Sequence, residues 1–200
     1  MRKIIFASKN KGKIMEVSYI LKNENIEILS LLGVEAAPEI IENGSSFEEN
    51  ARIKAKVIFD AFRIPVIGDD SGLSVEQLGG RPGVYSARYS GNNATDEDNN
   101  QKLLIELNQY PEPHYAKFIC CAVFFDGKKW LTANGEIKGR IIKHPRGENG
   151  FGYDPLFLPD GFNKTAGELS LDEKNKISHR AIAFNKLKGM IINYWSEHEK

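Results

Sequence analysis

The sequence has few cysteines and no excess of charge, and both features narrow the possible functions. Its two cysteines, Cys120 and Cys121, are neighbours. Neighbouring side chains on a strand point to opposite faces, so this pair is poorly suited to a disulfide. Free thiols fit a reducing compartment, which predicts a cytoplasmic protein. The 27 basic and 27 acidic residues cancel, which argues against a nucleic-acid polymer as partner but allows a small anionic ligand.

Long apolar runs are absent too. The run after Met1-Arg2-Lys3 is too short for a signal peptide, and no segment approaches the length of a membrane span, so no membrane partner is expected. The chain also lacks an internal repeat, a low-complexity tract and a flexible linker. Its 200 residues suffice for one domain, or two small lobes, with a proper core.

The distribution of apolar residues predicts a mixture of strands and helices. Apolar runs without a helical period predict strands at residues 4–7, 26–32, 115–125, 129–132 and 156–158. Apolar residues at intervals of three and four predict helices that begin after residue 12 and near residues 47, 95 and 178. Residues 36–46 should form a loop. We therefore expect an α/β or α+β fold in which helices surround a central mixed sheet.

Two glycine-containing turns are suggested in the middle of the chain. Asp126-Gly127 is a good hairpin turn between two predicted strands. Asn134-Gly135 fits either a second turn or a bulge. Long antiparallel pairing is therefore expected in this region.

The stretch Asp69-Asp70-Ser71-Gly72 is a candidate for chemistry. It follows the apolar run Val66-Ile67, and strand ends in α/β sheets open onto ligand crevices. Two adjacent carboxylates repel each other, and a divalent cation or a proton-transfer role would offset that cost. The local sequence alone is explained slightly better by an Asx-type turn made of good turn residues.

A basic loop, Ser8 to Lys13, lies between the first predicted strand and helix. Free N–H groups at a helix start attract phosphate, and Lys9, Lys11 and Lys13 add positive charge. The spacing is not that of a Walker loop. A solvated basic loop explains the segment equally well.

Other candidates each have an ordinary structural alternative. Glu42 is either a metal ligand or a surface glutamate, and Lys54 lies near the apolar stripe of its helix, where lysines often snorkel. The glycine- and aromatic-rich segment 150–155 suits base stacking or a core plug. His179 and Arg180 could donate to a base carbonyl or to phosphate, or be solvated charges at a helix start.

Two further groups are not taken as metal sites. Asp96-Glu97-Asp98 follows the capping residue Thr95 and is explained by the helix dipole. His114 and His144 each stand beside a proline and lack the ligand spacing of zinc sites.

In their order along the chain, these stretches resemble one family, the inosine triphosphate pyrophosphatases, also called Ham1-like. The similarity extends from Ile4 to about Leu187. It is carried by Ser8-x-Asn10-x-x-Lys13-x-x-Glu16, Gly44 with Phe47-x-x-Asn50-Ala51, Asp69-Asp70-Ser71-Gly72-Leu73, Gly79-Gly80-x-Pro82-Gly83-x-Tyr85-Ser86-Ala87-Arg88, Phe151-Gly152-Tyr153-Asp154-Pro155 and Ser178-His179-Arg180. The loop before Gly44 reads Ile41-Glu42-Asn43, where the family often carries Glu-Glu-Thr.

The resemblance implies a reaction and an architecture. Purine nucleoside triphosphates that are deaminated or oxidised, namely ITP, dITP and XTP, would be hydrolysed to the monophosphate and pyrophosphate and so removed from the nucleotide pool. Residues 1–200 would form a single domain with an elongated α/β fold, two lobes around a substrate cleft. The enzyme would be a homodimer that uses Mg²⁺. The alternatives are a Maf-like pyrophosphatase acting on dTTP or UTP and a nucleotide-binding protein without turnover.

The resemblance also implies a role for each candidate residue. Asp70 would be the general base towards a water that attacks the α-phosphorus, and Mg²⁺ would be held by Glu42, Asp69 and Asp70. Phe151 would stack on the purine, while His179 and Arg180 would donate to its 6-oxo group, a contact that adenine cannot make. The full set expected to bind substrate is Ser8, Lys9, Asn10, Lys11, Gly12, Lys13, Lys54, Ser71, Phe151, Gly152, Tyr153, Asp154, Lys174, His179 and Arg180.

Overall fold

The structure is a computed structural model that describes residues 2–22, 26–34 and 37–198. Its strands are β1 (Arg2–Phe6), β2 (Ile26–Ser30), β3 (Val66–Val75), β4 (His114–Phe125), β5 (Trp130–Ile141) and β6 (Phe157–Pro159). Its α-helices are α1 (Lys11–Ile20), α2 (Phe47–Phe62), α3 (Asp96–Leu107), α4 (Leu171–Ile177) and α5 (His179–His198). Short 3₁₀ helices cover Glu76–Leu78, Gly83–Arg88 and Ala166–Glu168. None of the described helices has the length and apolarity that crossing a membrane requires.

The strands of the described chain form one six-stranded sheet in the order β2-β1-β3-β4-β5-β6. β1 pairs in parallel with both β2 and β3, whereas β5 and β6 are antiparallel. Parallel neighbours need crossover connections, and the segments that contain α1 and α2 supply them. The predicted α/β fold with a central mixed sheet is thus confirmed.

The chain divides into two compact units, which we describe separately. Unit 1 comprises Met1–Asp70, Cys120–Gly135 and Arg180–Lys200, and unit 2 comprises Ser71–Ile119 and Glu136–His179.

The sheet of unit 1 carries apolar clusters on both of its faces. Phe124 of β4 belongs to a cluster with Phe184 of α5, whereas its neighbour Phe125 belongs to a cluster with Ile58 of α2. Successive side chains of a strand point to opposite faces, so α5 and α2 cover different faces of the sheet. Adjacent residues of β4 therefore pack against different helices.

Unit 2 has its own apolar core. Leu103 and Leu107, one turn apart on α3, pack in one cluster with Leu73 of β3, Phe118 of β4 and Phe157 of β6. Thr95 caps α3 with a reciprocal capping box to Asp98. The cap and the dipole thus explain the acidic first turn of this helix, as predicted.

The predicted helices are confirmed, with small shifts at their ends. α2 begins after Ser46, whose hydroxyl accepts from the N–H of Glu49 at 3.2 Å and so caps the helix. The last helix begins at His179, one residue after its predicted start. Phe184, Leu187 and Ile191 of this helix are buried, and Trp195 is partly buried.

The predicted strands also occur, and the return strand of the hairpin is longer than expected. β5 continues to Ile141, so Asn134-Gly135 lies inside a strand and does not form a second turn. Residues 37–46 of the predicted loop contain neither helix nor strand, and Ala36 lies outside the described residues.

The expectation that the acidic pair follows the end of its strand is wrong, and so is the alternative of an Asx-type turn. Asp69, Asp70, Ser71 and Gly72 all lie within β3, which is ten residues long. The register with β1 ends where Phe6 meets Ile67, and β3 then continues beside β4. Pairing in the sheet therefore overrides the low strand preference of Asp and Gly.

At Gly68 the backbone of β3 packs closely against α2, which generates a stability prediction. A Cβ on Gly68 would lie 2.3 Å from the carbonyl oxygen of Ala51 and 3.0 Å from the nitrogen of Ala55. We expect Gly68→Ala to push strand and helix apart and to lower the free energy of unfolding by about 1–3 kcal/mol in urea denaturation.

A second glycine provides the control for this prediction. Gly189 lies on α5 with open space around the position of its Cβ. Gly189→Ala should therefore raise the free energy of unfolding by up to about 1 kcal/mol through helix propensity. Equal effects of the two substitutions would contradict the packing argument.

Candidate functional site

Asp69 and Asp70 point to opposite faces of β3. The ammonium of Lys13 on α1 donates to Asp69 Oδ1 at 3.1 Å, whereas that of Lys54 on α2 donates to Asp70 Oδ1 at 3.0 Å. Alternation along the strand produces this separation. The two adjacent carboxylates therefore have different surroundings, although they were expected to act as a close pair.

Asp69 belongs to a buried network of two cations and two carboxylates. Lys13 Nζ also lies 3.0 Å from Asp69 Oδ2, and Arg180 Nε lies 3.4 Å from the same oxygen. The Nη1 group of Arg180 pairs with Glu16. Burial alone would raise the pKa of Asp69, but Lys13, Arg180 and Lys54 outweigh burial and hold that pKa well below its ordinary range. Asp69 is therefore a firmly ionised, paired carboxylate.

Arg180 lies in the interior of unit 1. Only 1% of its surface is exposed, and its guanidinium is directed at Glu16 and Asp69. A buried guanidinium with a carboxylate on either side is well suited to fixing those carboxylates in place. The predicted contact of Arg180 with a purine base stays a prediction.

Lys54 joins the oxygens around Asp70. Its ammonium donates to Asp70 Oδ1 and to the carbonyl oxygen of Asp69, each at 3.0 Å, and lies 2.7 Å from Glu42 Oε2. Burial alone would lower the pKa of Lys54, but Asp70, Asp69 and Glu42 outweigh it and raise that pKa. Burial raises the pKa of Asp70 above its ordinary value, with Lys54 opposing the change only in part.

Asn50 supports the same group of residues, and the sequence analysis gave it no role. Its Nδ2 donates to Asp70 Oδ2 at 3.1 Å, and its Oδ1 accepts from the N–H of Gly44 at 2.8 Å. A Cβ on Gly44 would lie 2.7 Å from that Oδ1. Asn50 thus ties the loop that carries Glu42 to the carboxylate of Asp70. Its position one turn before Lys54 on α2 is a signal that could have identified it.

Glu42 and Asp70 fit a magnesium ion better than the predicted trio does. Among the described residues, no three His, Cys, Asp or Glu side chains are grouped so that they could hold a metal ion. Asp69 is directed away from Asp70 and is already paired. Glu42 and Asp70 are oxygen donors that share one cation, the Lys54 ammonium, and Mg²⁺ commonly uses one or two carboxylates together with waters and phosphates.

The basic loop stands at the start of α1, as predicted. Asn10 caps the helix through Oδ1, which accepts from the N–H of Lys13 at 2.9 Å, and the N–H of Asn10 donates to the Ser8 hydroxyl at 3.2 Å. Lys9 and Lys11 are exposed, and Gly12 is half-buried in the first turn. These groups have the arrangement of a helix-terminal anion site.

In unit 2, Asp154 organises the turn that carries Phe151. Its Oδ2 accepts from the N–H of Phe151 at 2.9 Å and pairs with Lys174. The Lys174 ammonium also lies 5.0 Å from the centroid of the Phe151 ring. Gly150 has a φ of +76°, and a Cβ there would lie 2.1 Å from Asp154 Oδ2, so the turn requires glycine at this position.

A small cavity, partly open to solvent, lies in unit 2 next to these residues. Its lining includes the polar side chains of Asp154, Lys174 and His179, together with Phe118 and Phe157. The His179 ring stacks on Phe118, with centroids 4.8 Å apart and planes 13° apart. An apolar wall with a few convergent polar groups is typical of a pocket for a flat heterocycle.

Phe151 and Gly152 are not among the residues that line this cavity, and neither is Tyr153, although all three were expected to bind substrate. The Tyr153 ring is buried in the core of unit 2, and its hydroxyl donates to the carbonyl oxygen of Ser86 at 2.9 Å. The Ser86 hydroxyl in turn accepts from the N–H of Leu73 at 2.9 Å. The segment around Ser86 thus supports β3 at Leu73. Ser71 lies two residues earlier on that strand and is half-buried.

Comparison with known proteins identifies the family. The model of the Ham1 family matches residues 4–190. The chain belongs to the Ham1 family. The resemblance seen in the sequence motifs is thereby confirmed.

Relatives of this Ham1-family chain match it over almost its whole length. The dITP/XTP pyrophosphatase of Bacillus licheniformis is 48% identical over 193 residues, which cover 96% of this chain and 98% of the relative. A HAM1 protein from Coxiella burnetii has a similar structure, with a TM-score of 0.87, 38% identity and coverage of 96% of this chain and 100% of that chain. The Staphylococcus aureus Ham1 protein has a TM-score of 0.85, 37% identity and the same coverage.

The buried network of this Ham1-family protein generates a prediction about stability and pH. Asp69→Asn leaves Lys13 and Arg180 with an uncompensated buried charge and should lower the free energy of unfolding by about 3–5 kcal/mol at neutral pH. The folded pKa of Asp69 lies below the unfolded value, so its contribution is complete above about pH 4 and is lost as the pH falls through the folded pKa. Urea titrations at several pH values should show the difference from wild type shrinking below about pH 4.

Asp60→Asn is the control for this experiment. The carboxylate of Asp60 pairs with Lys56 on the exposed surface of α2, where 43% of its side chain is accessible. Its loss should cost less than about 1 kcal/mol. A loss at Asp69 that is as small as at Asp60, or that does not change with pH, would contradict the buried network.

Proposed function

We propose that this chain is a nucleoside triphosphate pyrophosphatase that hydrolyses ITP, dITP and XTP to the monophosphate and pyrophosphate. The observation that carries the proposal is the Glu42–Lys54–Asp70 cluster, in which two carboxylates converge on one cation beside a strand. The relatives named dITP/XTP pyrophosphatase support the choice of substrate.

We propose Asp70 as the general base that takes a proton from the attacking water through a carboxylate oxygen. A raised pKa favours proton acceptance, and Asn50 and Lys54 hold the carboxylate in one orientation. Glu42 and Asp70 would hold Mg²⁺, which, when bound, neutralises phosphate charge and lowers the pKa of water. Lys54 would hold a phosphate oxygen by exchanging one of its three present contacts, that with Glu42, when Glu42 turns to the metal ion.

The basic loop is the proposed binding site for the triphosphate tail. The N–H groups at the start of α1, the Ser8 hydroxyl and the ammonium groups of Lys9, Lys11 and Lys13 can donate to phosphate oxygens. Ser71, on β3 directly after Asp70, is proposed to bind substrate as well.

The cavity of unit 2 is the proposed site for the purine. Phe151 would stack on the ring, and His179 would donate to the 6-oxo group. Lys174 and Asp154 offer a donor and an acceptor at the same cavity. Adenine carries an amino group in place of the 6-oxo group, so a donor of the site would be left unpaired.

We further propose that the whole chain works as one catalytic domain, that it acts as a homodimer, and that it does so in the cytoplasm. The relatives match almost the full length of the chain, which supports the first point. Cys120 and Cys121 are both free and buried, which supports a reducing compartment.

A substrate panel tests the proposed reaction. With Mg²⁺ present, pyrophosphate release from ITP, dITP and XTP should exceed release from ATP by about 100-fold or more in kcat/KM. Preference for dTTP or UTP would favour a Maf-like activity, and tight binding without hydrolysis would favour a nucleotide-binding protein. Release of orthophosphate alone, or equal rates on ATP and ITP, would refute the proposal.

Substitution of the proposed base is a second test. Asp70→Asn keeps the shape of the side chain and removes its capacity to accept a proton, so kcat should fall by about 10²- to 10⁴-fold. Asp60→Asn, an exposed carboxylate on α2, should leave kcat unchanged. A kcat for Asp70→Asn near that of wild type would place the base elsewhere.

A further inference from the structure

Both peptide groups of Gly152, the residue after Phe151, are held by α3. The N–H of Gly152 donates to Asp96 Oδ2 at 2.7 Å, and its carbonyl oxygen accepts from Asn100 Nδ2 at 3.0 Å. Asp96 and Asn100 are four residues apart and therefore neighbours on one side of the helix. Two side chains of α3 thus hold one residue of the turn.

The turn around Gly152 needs such support. Gly152 has a φ of +62°, and nothing lies within 4 Å of the position that its Cβ would occupy. Glycine is the most flexible residue in the unfolded chain, and Gly152 has no side chain of its own to pack against the rest of unit 2. The N–H of Phe151 itself donates to Asp154.

The helix dipole explains Asp96 but not Asn100. Asn100 lies beyond the first turn of α3, and a neutral amide adds no charge there. Its Oδ1 is buried and has no hydrogen-bond partner among the described residues. A buried polar atom without a partner is destabilising. An apolar residue at this position would avoid the unpaired oxygen. The hydrogen bond that the amide donates to Gly152 therefore accounts for asparagine at position 100.

We propose that Asp96 and Asn100 are positioning residues that hold Gly152, and through it the ring of Phe151, in the orientation that stacks on the purine. The inference rests on the proposed function, because it takes Phe151 as the stacking ring. It adds specificity-determining residues on α3, a helix to which the sequence analysis gave no part in binding. Loosening this hold should weaken recognition of the base and leave recognition of the phosphates unchanged.

The variants are Asp96→Ala, Asn100→Leu and Asn100→Asp. Asn100→Asp keeps the size of the side chain, replaces the amide donor with a carboxylate oxygen that cannot donate and adds a negative charge, so it serves if Asn100→Leu is poorly folded. Glu97→Ala removes a charge from the same helical turn, and Gln101→Leu makes the same kind of change beside Asn100. Glu97 and Gln101 hydrogen-bond each other on the exposed surface, so these two are the matched controls.

The measurements separate recognition of the base from recognition of the phosphates. For the Asp96 and Asn100 variants, the KM for ITP and the Kd of inosine monophosphate by calorimetry should rise about 3- to 30-fold. Their kcat should stay within about twofold of wild type, which is below the shift expected for one lost hydrogen bond. Inorganic triphosphate competes with substrate but carries no base, so its Ki should also stay within about twofold of wild type. The controls should leave all four values unchanged.

A cycle with Phe151→Ala completes the test. In the Phe151→Ala background, Asp96→Ala and Asn100→Leu should have no further effect on inosine monophosphate binding, because there is no ring left to position. If Phe151→Ala weakens binding and the α3 variants do not, the inference is overturned while the proposed function stands. If Phe151→Ala itself has no effect, the proposed stacking role fails and the inference fails with it. A matching rise in the Ki of inorganic triphosphate would show a general structural effect and also overturn the inference.

Discussion

Alternation of side chains along β3 gives its two adjacent carboxylates different partners. Asp69 points towards the helices α1 and α5, and Asp70 points towards α2. A buried carboxylate must be paired, so each face needs its own cations. Lys13 and Arg180 neutralise Asp69, and Lys54 serves Asp70. The charged groups of unit 1 follow from this constraint: an ion-pair network that includes Glu16 lies on one face, and the cluster of Glu42, Lys54 and Asp70 lies on the other.

In unit 2 the main constraint is different: the glycine-containing turn around Phe151 must be held in one conformation. The backbone around Phe151 contains glycines with positive φ, which a side-chain core cannot fix. Instead, the carboxylates of Asp154 and of Asp96 on α3 fix this backbone by accepting hydrogen bonds from its N–H groups. Asp154, which holds the turn, also lines the cavity of unit 2 beside apolar side chains, and such a combination of rigid support and apolar wall favours selective binding of a flat ring.

The sequence predicted the elements with strong periodicity, and the order of its motifs predicted the family. Local preference was misleading at Asp69-Asp70-Ser71-Gly72, because Asp and Gly favour turns and only pairing in the sheet makes the segment a strand. The partner of Arg180 could not be found either, since Glu16 is 164 residues away and their contact depends on how α1 and α5 pack. Asn50 could have been found, because it stands one turn from Lys54.

The division of roles between Asp69 and Asp70 is the central claim, and divalent-ion binding tests it most directly. Mg²⁺ can be titrated calorimetrically into wild type, Asp69→Asn and Asp70→Asn, at a temperature at which circular dichroism shows all three to be folded. Loss of even an outer partner of a metal ligand weakens binding about 10- to 100-fold, so Asp70→Asn should weaken it at least about tenfold, whereas Asp69→Asn should bind nearly as wild type does. Equal losses in both variants, or a loss confined to Asp69→Asn, would contradict the account.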